Sequence, residues 1–166
     1  MVHVALLIAV ALWPAVASAQ SSVRERIERD ELAIVEESDP VMVAAIRKGR
    51  ETLPEFLRLA NSPHPTMQNF SVKVPVRAGD QYEYFWVKDF KKADEVYSGR
   101  IDNIPRWATH LKDGDTITCR EDEIVDWLYV QSGKMKGNFT FSALMQRESR
   151  AEARAMIRRF GADCKL

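Results

Sequence analysis

Four acids near the middle of the chain, Glu121, Asp122, Glu123 and Asp126, have the spacing that comes nearest to an acid–base site. Two carboxylates can divide the roles of general acid and general base when their surroundings separate their pKa values. Acids that stand in front of a predicted strand, however, usually face solvent. We therefore predict no catalytic residue, and a small hydrolase that uses Asp126 and nearby polar groups is kept as an alternative.

Metal binding and nucleophilic catalysis have less support in the residue types. His64 and His110 fall in separate predicted loops, and no cluster of His, Cys, Asp or Glu has the spacing of a metal site. Cys119 with His110 has the residue types of an activated thiolate. Neither a G-x-S-x-G turn nor a glycine-rich phosphate loop accompanies this pair. We predict that the protein holds no metal and no cofactor.

Three residues are the candidate ligand-binding residues: Trp107, Asp126 and Asn138. Trp107 falls in a predicted loop or strand end, where an exposed tryptophan is a typical anchor for a partner; alternatively, it covers one end of the sheet. Asp126 stands beside a tryptophan at the start of a predicted strand. It could bind a ligand, or it could accept N–H bonds from a neighbouring loop and so fix a turn.

The two cysteines of the chain, Cys119 and Cys164, raise the question of a disulfide. In an exported protein an even number of cysteines is typical of disulfide pairing. Such a bridge would tie the C-terminal tail to a central strand. Two buried free thiols are the alternative, because a bridge requires Cα atoms within about 7 Å and the sequence does not supply that distance.

The N-terminal residues have the pattern of a secretory signal. An apolar run from Val4 to Leu12 is followed by the small residues Ala17-Ser18-Ala19, as at a signal-peptidase cleavage site. We predict a signal peptide over residues 1–19, cleaved after Ala19, which would place the protein in a bacterial periplasm or outside the cell. Because no Lys or Arg precedes the apolar run, an uncleaved anchor is the alternative.

Beyond the signal, the chain is predicted to hold a charged N-terminal arm over residues 20–37 and a single domain over residues 38–166, a length typical of one domain. The formal net charge is zero, whereas a nucleic-acid-binding protein usually carries a basic excess. We therefore predict no nucleic-acid partner. After signal cleavage the chain has no apolar run of the roughly 20 residues that a membrane-spanning helix needs.

Helix signals stand at the two ends of the predicted domain. An Asp-Pro pair opens a helix over residues 40–60, because Asp accepts N–H bonds at the N-cap and Pro is tolerated at the first helical position. Gly49 is expected to weaken this helix, and Thr52 to begin a second one. A capping box and a 3.6-residue period predict a helix over residues 149–160, with Gly161 as its C-cap.

Between the helices the apolar period changes to two, which is typical of strands. Phe70, Val72, Val74 and Val76 alternate with polar residues. Further strands are predicted to begin at Tyr82 and Val96, within "KDGDTITC" after its turn, and at Asp126 and Lys134. The last of these is predicted to continue through Met145, with a helix from Thr140 as the alternative. The pattern indicates an α+β fold: a curled antiparallel sheet of five or six strands, or a small barrel, with N-terminal and C-terminal helices packed on it and most aromatic residues inside.

Several segments together resemble a known family. "EYFWVKDF", "YSGRIDNIP" and "DGDTITCREDEIVDWLYVQSGKMKGNFT" are similar, in this order, to segments of the YegJ-like family of bacterial proteins of unknown function. The resemblance covers about residues 38–145. Members of this family look exported, or stand beside other domains such as ankyrin repeats, which implies a binding or interaction module. No catalytic or ligand-binding residue comes with the resemblance.

The function predicted from the sequence is therefore an exported, non-catalytic binding module whose partner is an unknown protein or envelope component. One alternative is an inhibitor or immunity-type protein that sequesters a single partner. The other is the hydrolase based on Asp126. An enzyme would require a concave polar pocket that contains a carboxyl group with a shifted pKa, whereas a binder would require an open surface with exposed apolar groups.

Overall fold

The computed structural model describes residues 39–164, so the predicted signal peptide and N-terminal arm lie outside the described residues. The helices are α1 (Pro40–Asn61), α2 (Phe139–Met145) and α3 (Arg150–Phe160), and the strands are β1 (Met67–Ala78), β2 (Gln81–Ala93), β3 (Val96–Ile101), β4 (Thr116–Arg120), β5 (Asp126–Gln131) and β6 (Lys134–Gly137). A short 3-10 turn, Glu121–Glu123, joins β4 to β5.

The six strands form one antiparallel sheet in the order β4-β3-β2-β1-β5-β6. The two outer strands, β4 and β6, do not pair with each other, so the sheet is open. The predicted α+β class and antiparallel sheet are confirmed. The barrel alternative is wrong, because a barrel requires the two edge strands to close the hydrogen-bonding pattern.

The long helix α1 begins as its sequence predicts, with the Asp39 carboxylate accepting hydrogen bonds from the N–H groups of Val41 and Met42 at 2.9 Å. The sequence suggested a break at Gly49 and a second helix from Thr52. Instead, one continuous helix runs through both residues to Asn61. The reason for the glycine is tertiary. A Cβ atom at position 49 would lie 2.7 Å from the carbonyl oxygen of Val125, so Gly49 lets the helix pass close to the start of β5.

One face of the sheet packs against the second half of α1 and forms the main core. Phe56 of α1 is almost fully buried, and its ring stacks on Trp127 of β5 with 4.9 Å between the ring centroids. Alternating residues of the central strands, including Val72, Val74, Phe85 and Val87, complete this core. The predicted inward stripe of β1 is therefore confirmed.

The opposite face of the sheet is more open, and three aromatic residues of β2 lie on it. Tyr82 is 49% exposed, while Tyr84 and Trp86 are partly buried. They alternate along β2 with the fully buried residues Glu83 and Phe85. Successive side chains of a strand point to opposite faces, so these three aromatic residues stand outside the main core. Most aromatic residues of the chain had been expected inside.

The segment after β6 is helical. Gly137 ends β6 and α2 begins at Phe139, so the continuation of this strand through Met145 was wrong and the alternative helix was right. The apolar residues of α2 join α1 and α3 in a second, smaller core: Met42, Phe141, Ala143, Leu144, Met145, Ala153 and Met156. The helix α3 has the predicted Ser149 N-cap and a left-handed Gly161 at its C-terminus.

Candidate functional site

Asp126 lies at the start of β5 and is fully buried. One carboxylate oxygen accepts hydrogen bonds from the N–H groups of Trp127 and Phe139, at 2.8 and 3.2 Å. The other accepts from the N–H and the hydroxyl of Thr140, at 2.8 and 2.7 Å. The acid thus caps the first turn of α2 from a neighbouring strand, and we call Asp126 with these three partners the Asp126 junction.

Burial raises the pKa of Asp126 above that of a free aspartate, while the hydrogen bonds from Thr140 and the charge of Lys73 act in the opposite direction. The Lys73 ammonium donates a hydrogen bond to the Thr140 hydroxyl at 3.3 Å. A shifted acid is often found at a functional site. In this case the four hydrogen bonds occupy both oxygens, as expected if Asp126 fixes a turn by accepting N–H bonds from a neighbouring segment.

The structure places Asn138 next to Asp126, so two of the three candidate ligand-binding residues come together. Asn138 is buried in a left-handed conformation with φ 54°. Its N–H donates to the carbonyl of Trp127 at 2.8 Å, and its side-chain amide contacts the sulfur of Met135 at 3.3 Å. A left-handed asparagine is favoured at tight turns, so its contacts are those of a residue that turns β6 into α2.

Trp107 lies elsewhere, in the loop between β3 and β4, where a second buried acid organises the backbone. Glu83 of β2 is fully buried and accepts hydrogen bonds from the N–H groups of Arg106, Trp107 and Ala108 at 2.7, 3.0 and 2.8 Å. The indole of Trp107 is partly buried against the main core, and the guanidinium of Arg106 lies over it at 4.9 Å. The position of Trp107 therefore fits the alternative prediction, in which it covers one end of the sheet.

Cys119 and Cys164 are free thiols in the structure, so the predicted disulfide is not formed and the alternative of two unpaired cysteines is observed. Cys119 lies on β4, at one edge of the sheet. Cys164 follows Ala162, which bridges to Met135 on β6 at the other edge. Five strand spacings of about 4.8 Å separate the two edges, and burial raises the pKa of Cys119 to about 11.

The largest cavity described in the structure has a volume of about 660 Å³ and lies where β1 and β2 are both irregular. The pairing of β1 with β5 shifts between Gln68 and Ser71, and that of β2 with β3 shifts between Lys88 and Lys91. We call it the bulge cavity. Its lining residues are Ala60, Asn61, Asn69, Phe70, Ser71, Trp86, Lys88, Asp89, Phe90, Asp102, Leu128, Val130 and Met135.

Both bulges hold a residue in the left-handed region, Asn69 with φ 58° and Asp89 with φ 52°. The other non-glycine residues with positive φ that the described chain contains lie in hairpin turns or before α2: Asp94, Ser132 and Asn138. A left-handed residue inside a strand costs free energy, and such residues cluster at functional sites. Asn69 and Asp89 both line the bulge cavity, so the irregularity of the sheet coincides with its largest concavity.

Ser71 is the most buried polar residue of the bulge cavity, with 5% exposure. Its neighbours across the sheet are Lys88 on β2 and Leu128 on β5. The structure gives the Ser71 hydroxyl and the side-chain amides of Asn61 and Asn69 no hydrogen-bond partner within the described residues. Buried polar groups are normally hydrogen-bonded, so a hydroxyl at this depth that lines a cavity is available to a ligand.

The charged residues of the bulge cavity are paired. The Lys88 ammonium lies 2.5 Å from a carboxylate oxygen of Asp102, and this hydrogen bond raises the pKa of Lys88. Asp89 pairs with Arg100, whose Nε donates to it at 3.1 Å, and this contact lowers the pKa of Asp89. Each acid of the cavity is therefore matched by a base, and the charges at its rim cancel in pairs.

Trp86 connects the bulge cavity with the rest of the open face. The Lys73 ammonium lies 5.4 Å from the centroid of the Trp86 ring and 6.0 Å from that of Tyr84. Tyr84 in turn lines a second cavity of about 460 Å³, which Pro75 and the first half of α1 also border. The open face therefore presents a row of aromatic side chains between two concave regions.

Sequence reasoning missed the bulge cavity. The signal that could have indicated it is the row Tyr82, Tyr84 and Trp86, which alternates with residues of the core and so must lie on the other face of β2. The bulges themselves left a weaker trace. Asn69 and Asp89 are residue types that tolerate a left-handed backbone, but both lie outside the alternating runs that predicted these strands.

Three further observations concern the described part of the chain. Within residues 39–164, no three His, Cys, Asp or Glu side chains come together as ligands for a metal ion. In the same part of the chain, no helix has the combination of length and apolar character needed to cross a bilayer. Asp126, the acid with the raised pKa, lines neither of the two cavities described above.

Comparison with known proteins gives a family but no activity. Residues 39–164 match the model of a family described as "Uncharacterized protein conserved in bacteria (DUF2314)". The uncharacterized protein YegJ of Escherichia coli K12 is 27% identical over 112 residues, which are 68% of this chain and 72% of that protein. A putative ankyrin repeat protein of Neisseria meningitidis serogroup B is 31% identical over 88 residues, 49% of this chain and 35% of that protein. No solved structure matches the chain.

Proposed function

The chain belongs to the DUF2314 family of uncharacterized proteins conserved in bacteria, as the sequence resemblance to YegJ-like proteins predicted, and from this premise we propose that it is an exported binding module. Its ligand lies in the bulge cavity, against Trp86 and Ser71. The binding function is carried by one observation: a cavity of about 660 Å³ is lined by an aromatic ring, by polar groups without protein partners within the described residues and by two left-handed strand residues.

The chemistry of the acids supports binding more than catalysis. An enzyme with an acid–base mechanism needs its shifted carboxyl group in the same cavity as the substrate. Here the acid with the raised pKa, Asp126, is enclosed at the start of α2, and the acids of the bulge cavity, Asp89 and Asp102, are each paired with a base. The acid with the raised pKa is thus separated from the space that could hold a substrate, and the two acids that line this space are held in ion pairs.

The Neisseria relative supports an interaction role. The aligned segment makes up 35% of that protein, so the related unit stands within a longer chain whose name refers to ankyrin repeats. Ankyrin repeats are stacked units that present extended binding surfaces. A domain found beside such repeats is well suited to supply a binding site of its own.

Export is proposed from the N-terminal sequence, with cleavage after Ala19 in a bacterial cell envelope. Mass spectrometry of the protein purified from the periplasmic fraction of its host should show a chain that begins at Gln20. Recovery of the chain with its N-terminal Met1 in the membrane fraction would support the uncleaved anchor. Recovery of that form in the cytoplasm would contradict export.

The binding proposal is tested by closing the bulge cavity. Val130 lines the cavity from β5 and is partly buried, so Val130→Trp should fill much of the space. Thr118→Trp, at an exposed position of the edge strand β4, is the matched control. The wild-type protein, immobilised and incubated with an envelope extract, should retain a component that Thr118→Trp also retains and Val130→Trp loses.

Three results would change the assignment. Equal retention by Val130→Trp and the wild type would contradict the bulge cavity as the binding site. Retention of one protein at a ratio of about 1:1, lost with Val130→Trp, would support the inhibitor or immunity-type reading. Turnover of an envelope component by the wild type, abolished in a folded Asp126→Asn variant, would support the hydrolase.

A further inference from the structure

We propose that the ligand of the bulge cavity is a neutral, hydroxyl-rich sugar chain. This inference rests on the proposed binding function, because it names the chemical class of ligand for the same cavity. Three properties of the lining lead to it: charges that cancel in pairs, uncharged hydrogen-bonding groups that have no protein partner, and an aromatic side chain that lines the same space.

The first step concerns charge. A charged ligand binds well where the protein offers an uncompensated opposite charge. In the bulge cavity the ammonium of Lys88 is held by Asp102, and the carboxylate of Asp89 is held by Arg100. An anionic or cationic ligand would have to break one of these pairs, whereas a neutral ligand leaves both pairs intact and can use the remaining lone pairs and N–H groups at the rim.

The second step concerns the polar groups that remain available. Ser71 offers a hydroxyl that can donate and accept, and Asn61 and Asn69 offer side-chain amides that can do both. A sugar hydroxyl also donates and accepts at once, so it matches either partner. Ser71 is 5% exposed and lines the cavity, so a ligand in the cavity can reach its hydroxyl.

The third step concerns the apolar part of the lining. The C–H groups of a sugar ring form an apolar face that packs on an aromatic ring, while the hydroxyl groups at its edge remain free for hydrogen bonds. Trp86 supplies such a ring, and Leu128 and Val130 supply aliphatic surface beside it. The volume of about 660 Å³ lies within the range of about 300–1,000 Å³ that is common for ligand pockets.

The test is a calorimetric titration of the purified full chain, in the N-terminal form in which it accumulates, with four probes. Two are neutral, the tetramers of N-acetylglucosamine and of glucose. One is acidic, the tetramer of galacturonic acid, and one is a neutral tetrapeptide. We expect measurable binding of at least one neutral tetramer at concentrations up to about 10 mM, a limit that corresponds to weak but specific affinity, and no comparable binding of the acidic tetramer or the peptide.

Two variants place the sugar in the cavity. Ser71→Ala removes one hydrogen bond and should weaken binding about 2- to 12-fold, the range expected for one hydrogen bond. Trp86→Ala removes the aromatic ring and should weaken binding by more than about tenfold. The matched control is Tyr82→Ala, which removes an exposed aromatic of the same strand and face outside the cavity and should leave the affinity unchanged. Ser71→Ala keeps the test decisive if Trp86→Ala fails to fold.

The outcomes separate this inference from the proposed function. If no neutral tetramer binds, but the component retained from the envelope extract depends on Val130, the sugar assignment is wrong and the binding function stands. Sugar binding that is unaffected in Ser71→Ala and Trp86→Ala would also overturn the assignment, because the sugar would then lie elsewhere. Tighter binding of the acidic tetramer or of the peptide would contradict the neutral sugar and assign the cavity to an acidic sugar or to a peptide instead. If nothing binds in either experiment, both proposals are wrong.

Discussion

The Asp126 junction and the bulge cavity lie on the same pair of strands. They differ in whether their polar groups form hydrogen bonds with the protein. In the register of β1 with β5, Lys73 stands opposite Asp126, and Ser71, two residues away, stands opposite Leu128. At the Asp126 junction every oxygen of the buried carboxylate accepts hydrogen bonds from the protein. In the bulge cavity Ser71 is 5% exposed, and its hydroxyl has no such partner within the described chain.

This difference separates groups that build the fold from groups that are available to a ligand. The left-handed residues Asn69 and Asp89 cost about 1–3 kcal/mol each, whereas the Ser71 hydroxyl opens onto the cavity and can be hydrated when no ligand is bound. Such costs are retained in folded proteins mainly where function requires them. The deep burial and the raised pKa of Asp126 are thus less informative about ligand binding than the absence of a protein partner.

The largest effect is expected from breaking the Asp126 junction itself. Asp126→Ala leaves the N–H groups of Phe139 and Thr140 without their acceptor at the buried start of α2, so we expect a loss of about 2–4 kcal/mol in the free energy of unfolding. The measurement is urea unfolding followed by circular dichroism. The matched control, Asp113→Ala, removes an exposed acid and should change stability by less than about 0.5 kcal/mol.

Binding should respond differently to the same change. Per folded molecule, the Asp126→Ala variant should retain the component that the wild type retains from the envelope extract, because Asp126 does not line the bulge cavity. Normal stability together with lost binding would contradict the comparison and identify Asp126 as a ligand-binding carboxylate.

Glu83 is a second buried acid whose carboxylate oxygens accept hydrogen bonds from the protein, and it extends the comparison to the loop that contains Trp107. Glu83→Gln replaces one acceptor oxygen by an NH₂ group, which then faces the backbone N–H donors of Arg106, Trp107 and Ala108. We expect a loss of about 1–3 kcal/mol in the free energy of unfolding, with faster hydrogen exchange of the Ala108 amide than in the wild type. Glu95→Gln, at an exposed turn position, is the control. Unchanged exchange at Ala108 would show that the loop does not depend on Glu83.

The most direct test of the comparison removes one hydroxyl from each region. Thr140→Val deletes the hydroxyl that donates to Asp126 and accepts from Lys73, and we expect it to cost about 1–2 kcal/mol of stability. Ser71→Ala deletes a hydroxyl without a protein partner and should change the free energy of unfolding by less than about 0.5 kcal/mol. Urea unfolding of both variants measures the difference.

The same pair should behave in the reverse order in a binding assay. Thr140→Val should bind the cavity ligand like the wild type, while Ser71→Ala should bind it more weakly. A stability loss for Ser71→Ala as large as that for Thr140→Val would show that the Ser71 hydroxyl is part of the fold, and the contrast between the two regions would no longer hold.

The local parts of the fold could be predicted because their causes are local. The alternation of Phe70, Val72, Val74 and Val76 set the inward face of β1, and Asp39 and Ser149 capped the helices that they were expected to cap. In each case the period of the side chains or the hydrogen bond of a cap acts within a few residues. The sequence carries such information without reference to the rest of the molecule.

The errors arise where a distant contact decides the local structure. Gly49 was expected to weaken the helix, but it permits the close passage of α1 over Val125, a contact between segments far apart in sequence. The residues after Asn138 alternate like a strand, but the carboxylate of Asp126 caps their backbone and stabilises a helix. Tertiary contacts of this kind override local propensity, and they become visible only in the folded chain.

The candidate site was predicted only in part for the same reason. Asp126 and Asn138 do come together, and Asp126 has the turn-fixing role that was one of its two readings. Trp107 lies in a loop, as predicted, but its N–H donates to Glu83 and its side chain packs against the core. The bulge cavity depends on two register shifts in neighbouring strands. No short-range pattern in the sequence shows that these shifts coincide.

The smallest effect that we predict concerns pH. Burial raises the pKa of Asp126 in the folded state, whereas in the unfolded chain it titrates near the ordinary value of about 3.9. The stabilisation linked to the protonated group is therefore complete below this value and is lost as the pH rises through the raised folded pKa. The stability difference between the wild type and Asp126→Asn should be largest at low pH and decrease as the pH rises, and urea unfolding at a series of pH values measures it. A difference that instead grows with pH would mean that the hydrogen bonds from Thr140 and the charge of Lys73 outweigh the burial of the carboxylate, and the Asp126 junction would then be held together by an ionised acid.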